Sequence, residues 1–266
     1  MIKSLFSIVS LTFFLLLGNV SAQQYEFGVS GVATGYMGDL NPVNPLYYKN
    51  MGGGLFVKYN LNPTWGIRAS LNYLPLYAND ADFSAQHQKE RKLLFNNDLK
   101  ELSVTADFNF FKFIAGRATN RNTPYLMAGL ALIHHSPYVY SNDQKIHLNN
   151  HPLEIDDKDA YVSYSKWALS IPVGVGFKHN ISGPWTIGAE VNYRTVLSDH
   201  IDNVSQYYRY ETSRLPDAWA YMADPNGQLD MKGGTSRGNG KNMDGYMTAG
   251  ITLTYTIISK KCYWWK

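Results

Sequence analysis

The sequence has little of what disulfide-stabilised or nucleic-acid-binding proteins need. It contains one cysteine, Cys262, in 266 residues, so no disulfide can form within the chain and this thiol is predicted to be unpaired. Charged residues make up 17% of the chain and the formal net charge is +3, which gives no strong electrostatic case for a nucleic-acid partner. We therefore expect neither a disulfide framework nor a nucleic-acid-binding surface.

Long hydrophobic runs are also missing beyond the N-terminus. The run from Leu5 to Leu17 follows Lys3 and is shorter than the roughly 20 residues that a membrane-spanning helix needs. A small-residue cleavage site follows at Val20-Ser21-Ala22. This order predicts a secretory signal peptide over residues 1–22 and a mature chain over residues 23–266, whose formal charge without Lys3 is +2.

What the sequence does have is aromatic and glycine residues in stretches where apolar and polar residues alternate. The clearest is the hairpin from Trp167 to Leu197, in which Trp, Leu, Ile, Val and Phe occupy every second position of the first arm. Strict alternation indicates a strand, because successive side chains point to opposite faces. The hairpin contributes two strands, and six further stretches bring the predicted number to eight: 25–35, 53–60, 64–74, 99–113, 124–135 and 244–258.

The connections between these strands alternate long and short along the chain. Outer-membrane barrels have an even number of antiparallel strands, long loops at the outer end and short turns at the periplasmic end. Closure also leaves no unpaired strand edge in lipid. We therefore predict an all-β, eight-stranded antiparallel transmembrane barrel, similar to OmpA, with four long outer loops. A soluble β-sandwich is the alternative.

The polar faces of the predicted strands carry charges of both signs. An eight-stranded barrel is just wide enough for side chains to fill its interior. Buried charges need partners, so we expect six residues to meet in the lumen as a charge network that forms a packed core and not a porin channel: Lys58, Arg68, Glu101, Asp107, Glu190 and Arg194.

Aromatic residues are predicted to form a girdle at each membrane interface. Those assigned to the periplasmic side are Trp65, Trp185, Tyr59, Tyr125 and Phe177, and those assigned to the outer side are Tyr36, Tyr73 and Trp167.

Histidines provide the only candidates for metal binding or catalysis. His147 and His151 are four residues apart near Asp156, Asp157 and Asp159, but two histidines at this spacing share a face only on a helix, and the intervening LNN is a poor helix former. His134 and His135 could include a catalytic base, but no partner can be assigned from spacing. We expect no enzyme activity, no metal, no cofactor and no small-molecule substrate, with a membrane-embedded enzyme as the third hypothesis.

The segment after the last strand, SKKCYWWK, is basic and aromatic. Tryptophan and tyrosine dominate binding hot spots, so this tail, residues 259–266, could dock a periplasmic partner or anchor at lipid headgroups. The candidate docking residues are Lys260, Lys261, Tyr263, Trp264 and Trp265.

The end of the first strand reads Gly35-Tyr36-Met37-Gly38-Asp39-Leu40-Asn41. This run resembles the PorG family of Bacteroidetes, which are OmpA-like barrels of the type IX secretion system. The resemblance implies a non-enzymatic outer-membrane component whose partners are the periplasmic ring proteins PorK, a lipoprotein, and PorN. A generic OmpA/OmpX-like barrel for envelope integrity or surface adhesion is the alternative. Within the motif we expect turn chemistry, with a positive φ at Gly38 and a local hydrogen bond from Asp39.

Overall fold

The computed structural model describes residues 25–117, 119–141, 143–148, 153–155, 158, 164–208, 222–223, 234–238 and 243–258. Eight of the twelve strands in these ranges close into an antiparallel barrel. Each barrel strand pairs with its neighbours along the chain, and the pairing of the first strand with the last closes the cylinder. The barrel strands are β1 (Tyr25–Met37), β2 (Asn50–Asn60), β3 (Trp65–Asn79), β4 (Leu94–Asn109), β5 (Asn122–His134), β9 (Trp167–Ser182), β10 (Trp185–Val196) and β12 (Gly245–Thr256). The predicted fold class is confirmed.

The outer wall of the barrel is an apolar belt. On β3 the outward side chains run from Trp65 to Tyr73 without a charge, and about 9–11 tilted residues cross a bilayer. Aromatic pairs mark the end where the short turns lie, with the rings of Trp65 and Phe108 centred 4.8 Å apart and those of Trp185 and Tyr255 5.1 Å apart. This end is called the turn end below, and the opposite end is called the loop end.

The first four strands extend further toward the loop end than the alternation indicated. β3 continues to Asn79 and β4 begins at Leu94, five residues before the predicted Leu99. The reason is that the two strands stay paired beyond the belt, with Asn79 opposite Leu94. β4 ends at Asn109 and not at Phe113, because the chain there turns beneath the barrel.

Four long connections at the loop end contain further ordered structure. They are loop 1 (38–49), loop 2 (80–93), loop 3 (135–166) and loop 4 (197–244). Loop 2 includes a 3-10 turn, Asp80–Asp82, and the helix α1, Gln86–Arg91. Short strands in loops 3 and 4 are β6 (Tyr138–Ser141), β7 (Gln144–His147), β8 (Glu154–Ile155) and β11 (Tyr207–Tyr208), of which β8 and β11 pair. No helix in the described ranges is long and apolar enough to cross a membrane.

The interior changes character along the barrel axis. Level with the apolar belt, the inward side chains of β3 are polar, as at Arg68 and Asn72. Above the belt the same face carries Leu74, Leu76 and Ala78, all buried. These residues belong to a hydrophobic core that fills the loop end and includes residues of all four loops.

Candidate functional site

The lumen holds a buried network of charged side chains. The structure brings together all six predicted residues, each 8% exposed or less. Arg68 stands at the centre, where its two terminal nitrogens donate to Asp107 Oδ2 at 2.8 Å and to Glu190 Oε1 at 2.7 Å. Lys58 Nζ lies 3.9 Å from Asp107 Oδ2. A second group forms nearer the loop end, where Arg194 Nε lies 2.7 Å from Glu101 Oε2.

Two buried charges at the turn end complete the network. Glu26 Oε2 lies 2.6 Å from Lys58 Nζ, and Lys178 Nζ lies 4.8 Å above the centre of the Tyr125 ring. The alternation in β1 and β9 already places both residues on the inner face, so the signal for them was present in the sequence. With them, the lumen of the eight strands holds four anions and four cations. Seven of these eight groups lie within 4 Å of an opposite charge, whereas Lys178 Nζ faces the rings of Tyr125 and Phe113 and has no hydrogen-bond partner among the described residues. Pairing explains how the seven are tolerated in one interior.

Neutral side chains fill the remaining space in the lumen. Tyr125 donates its hydroxyl hydrogen to Glu190, and Tyr246 donates to Glu101 Oε2 at 2.6 Å. The Tyr125 ring fits because Gly176 faces it, and a Cβ at that glycine would lie 2.5 Å from the ring. The cavity left beside Arg68 measures about 30 Å³, which holds about two water molecules.

Tyr36 and Tyr125 correct the predicted girdles. Tyr125 is 2% exposed and Tyr36 is fully buried. Both occupy inward positions of their strands, so they pack inside the barrel and do not meet lipid. The remaining aromatic residues of the two predicted girdles point outward.

The connection at 110–121 closes the turn end of the lumen. Phe113, predicted to end the fourth strand, lies instead in this connection, and both Phe113 and Ala115 are buried beneath the barrel. The Phe113 N–H donates to the Pro63 carbonyl at 3.1 Å, and its ring lies 5.0 Å from Lys178 Nζ. The Gly116 N–H donates to Asn180 Oδ1 at 3.1 Å. These contacts hold Phe113 in the mouth of the barrel.

The four loops close the other end as a single cap. Arg91 of loop 2 donates to both carboxylate oxygens of Asp80 at 2.7 and 2.8 Å, and to the carbonyls of Asp39 and Arg237, each at 2.9 Å. It therefore joins loops 1, 2 and 4. Arg237 in turn donates to Glu154 Oε1 at 2.8 Å, which ties loop 4 to loop 3.

Comparison with known proteins identifies the family. The model of a family described as a domain of unknown function, DUF6089, matches residues 3–215. The chain belongs to the DUF6089 family. No curated protein matches this DUF6089 sequence.

Solved structures similar to this DUF6089 chain are small bacterial barrels. Neisserial surface protein A is 11% identical with a TM-score of 0.44, and the match covers 89% of this chain and 99% of that one. The outer membrane protein OprG of Pseudomonas aeruginosa is 9% identical with a TM-score of 0.41, covering 90% and 99%. Ail, the attachment invasion locus protein of Yersinia pestis, is 14% identical with a TM-score of 0.39, covering 88% and 100%. The eight-stranded barrel itself rests on the strand pairing described above.

The motif at residues 35–41 of the DUF6089 chain organises the cap. The Tyr36 hydroxyl lies 2.6 Å from Asp202 Oδ2 and 2.6 Å from Asp244 Oδ1. Leu40 is fully buried in the core of the loop end, and Asn41 Nδ2 donates to the Tyr36 carbonyl at 2.7 Å. Gly35 lies in β1, and Asp39 contributes the carbonyl that Arg91 binds.

The reason for glycine at position 38 differs from the expected one. Gly38 does not have a positive φ. A Cβ there would lie 2.0 Å from the Tyr36 hydroxyl and 2.2 Å from Asp244 Oδ1. Glycine is therefore needed for space beside the buried hydroxyl and carboxyl groups.

Two buried carboxyl groups beside Tyr36, those of Asp202 and Asp244, have pKa values shifted in the direction that favours their neutral forms. Burial, with the nearby Asp39, raises the pKa of Asp202 well above its usual range. Burial, with the nearby Asp202, does the same to the pKa of Asp244. A tyrosine hydroxyl has one hydrogen to donate. If one of the two carboxyl groups is protonated, it can donate to the Tyr36 oxygen, while the Tyr36 hydroxyl donates to the other carboxylate.

The histidine candidates do not converge on a site in the described part of the chain. His147 Nδ1 lies 2.9 Å from the Ser136 hydroxyl, while His151, Asp156, Asp157 and Asp159 lie outside the described residues. His134 faces outward and stacks edge-on with Trp167, and His135 is buried in the loop end. No group of three metal-binding side chains occurs among the described residues. The docking candidates at 260–265 also lie outside the described residues.

Proposed function

We propose that this chain is a non-enzymatic outer-membrane barrel of the type IX secretion system that anchors or docks the PorK/PorN ring at the membrane. The observation that carries the proposal is a barrel filled with paired charges and closed at both ends. Such a barrel offers surfaces and not a channel, so its role is to hold other molecules at the membrane. The apolar belt supports contact of the wall with lipid, and the predicted signal peptide supports a location in the envelope.

The loop end faces the outside in this proposal and the turn end faces the periplasm, as in bacterial barrels. The resemblance of the motif at 35–41 to the PorG family supports the link to secretion. The turn end is compact, with connections at 61–64 and 183–184 and Phe113 tucked into the mouth. The tail leaves the barrel at this end, because β12 finishes at Thr256 and the next N–H donates to the Tyr25 carbonyl at 3.0 Å. The tail therefore begins on the side of the barrel where the proposed ring would lie.

The test is recovery of the ring proteins with the affinity-tagged chain from a gentle detergent extract. We expect PorK and PorN to co-purify with the native chain. The double variant Trp264→Ala/Trp265→Ala should reduce their recovery, while Tyr140→Ala, an exposed aromatic change at the opposite end, should not. Ring proteins that remain assembled in the extract but do not copurify with the native chain would contradict the proposal.

The second candidate is a generic OmpA/OmpX-like barrel that acts through its loops. The observation in its favour is the ordered cap, in which Arg91 and Arg237 tie all four loops together into a surface of fixed shape. Loss of adhesion or of envelope integrity in a deletion strain that still secretes its type IX cargo would favour this candidate over the first. A defect in cargo secretion would favour ring docking.

A further inference from the structure

One row of side chains on the outer wall combines aromatic rings with positive charge. The register places Tyr73 opposite Lys100, Lys100 opposite His134, and His134 opposite Trp167, so the four lie side by side across β3, β4, β5 and β9. All four point away from the lumen, and Trp167 is 57% exposed. The row lies at the loop-end limit of the apolar belt, where lipid headgroups begin.

Charge on the outward faces of the eight barrel strands is confined to this place. The outward positions hold two residues that carry a full charge, Asp98 and Lys100, which follow each other on the outer face of β4. Asp98 accepts hydrogen bonds from Lys145 Nζ at 2.9 Å and from the Tyr73 hydroxyl at 3.0 Å. Lys100 is exposed and forms no ion pair or hydrogen bond through its side chain with any described residue. The Lys100 ammonium group at the edge of the apolar wall is therefore available to bind an anionic partner.

An apolar groove runs along the wall from this ammonium group. Its volume is about 790 Å³, and Leu55, Leu71, Leu102 and Leu132 contribute to its lining. A second groove of about 730 Å³ continues toward the turn end and shares three of these leucines. The first groove is lined by residues of five neighbouring strands, β2 to β5 and β9, so it extends across the wall beside Lys100.

We propose that this row and groove bind a phosphorylated, multiply acylated glycolipid of the outer leaflet. Lys100 pairs with a phosphate of the headgroup, Trp167 and Tyr73 flank the sugar, and the leucines contact the acyl chains. The assignment to the outer leaflet rests on the orientation given under the proposed function, with the loop end outside. The partner differs from the ring proteins, which would meet the opposite end.

The test measures retention of lipid by the purified full-length chain. The protein is placed in phosphatidylcholine nanodiscs that contain bisphosphorylated lipid A, the same lipid without its phosphates, or phosphatidylglycerol. It is then extracted into mild detergent, and native mass spectrometry counts the lipids that remain bound. We expect lipid A to be retained in preference to the other two.

Substitution of the lysine should weaken that retention selectively. A basic residue near an anionic lipid surface contributes about 1 kcal/mol, so Lys100→Gln should lower lipid A retention about fivefold. Lys100→Arg should keep it. Lys112→Gln, an exposed lysine at the turn end, is the matched control and should change nothing. The altered gel migration of unheated barrels verifies that each variant is folded.

Three results would overturn the assignment. They are unchanged retention in folded Lys100→Gln, equal retention of the dephosphorylated lipid, and equal retention of phosphatidylglycerol. The experiment contains no ring protein, so a negative result leaves ring docking untouched. Failure of the ring to co-purify would likewise leave the lipid measurement intact.

Discussion

Arg68 is the residue whose loss should disturb the barrel most. Its side chain is 6% exposed and joins Asp107 and Glu190 through hydrogen bonds of 2.8 and 2.7 Å. Arg68→Met keeps much of the aliphatic volume and removes the charge. The substitution leaves four buried anions facing three cations, with both former partners deprived of their closest cation.

The expected cost follows from the burial of those partners. Removing one member of a buried ion pair typically costs about 3–5 kcal/mol, because the remaining charge has neither solvent nor partner. Asp107 keeps Lys58 at 3.9 Å and Glu190 keeps the Tyr125 hydroxyl, so part of the network survives. We therefore expect Arg68→Met to lower the free energy of unfolding by about 3–5 kcal/mol.

A compensating change should recover much of this loss. Arg68→Met/Glu190→Gln restores equal numbers of buried cations and anions, and a coupling energy of about 1–3 kcal/mol in favour of the double variant is expected for residues in direct contact. Arg121→Met is the matched control, because Arg121 is exposed in the connection at 110–121 and its loss should change the free energy by less than about 0.5 kcal/mol.

Urea unfolding in phosphatidylcholine vesicles, followed by tryptophan fluorescence, measures five proteins under one condition: the native chain, Arg68→Met, Glu190→Gln, the double variant and Arg121→Met. The reasoning would be refuted if Arg68→Met were as stable as Arg121→Met. It would also be refuted if Glu190→Gln deepened the loss in the double variant, because the network would then not be held by the balance of charge.

Three further changes test the two closed ends. Tyr36→Phe removes the hydroxyl shared by two buried carboxyl groups and should destabilise the cap by about 1–3 kcal/mol. We expect faster hydrogen exchange in residues 199–204 of this variant, and no change in exchange in Tyr140→Phe, which alters an exposed tyrosine. Phe113→Ala should lower the free energy of unfolding in urea by about 3–5 kcal/mol, whereas Phe111→Ala, a change at an exposed phenylalanine of the same connection, should lower it little. Equal effects would argue against closure of the turn end. Burial, with Asp39 and Glu154, raises the pKa of Asp199 to about 7. Because the pKa of an unfolded aspartate is about 4, the stabilising contribution of the protonated group is complete below about pH 4 and is lost as the pH rises to 7. Between pH 5 and 8, hydrogen-exchange protection of the cap should therefore fall more in the native chain than in Asp199→Asn.

The barrel was predictable because its pattern is local. A strand between lipid and a polar lumen must alternate, and most of the eight do so across the belt; β5 is the exception, with Met127 and Ala131 on its inner face. The same alternation assigns Arg68 and Glu190 to one interior, although they are far apart in the sequence. Closure then brings them together, since a narrow barrel leaves no other place for inward charges.

The cap was not predictable by the same reasoning. Its core depends on contacts between distant loops, such as Arg91 with the carbonyls of Asp39 and Arg237. The one local sign is the change on the inner face of β3 from polar residues to Leu74 and Leu76, which marks the height at which the lumen ends and the hydrophobic core begins. Phe113 gave no such sign, because its burial depends on the path of a turn.

The most direct test of a filled and closed barrel is the electrical conductance of the purified chain in a planar bilayer. The structure predicts no stable conducting level, because paired charges occupy the lumen and both mouths are covered. A large, stable conductance from the folded native chain would contradict this account.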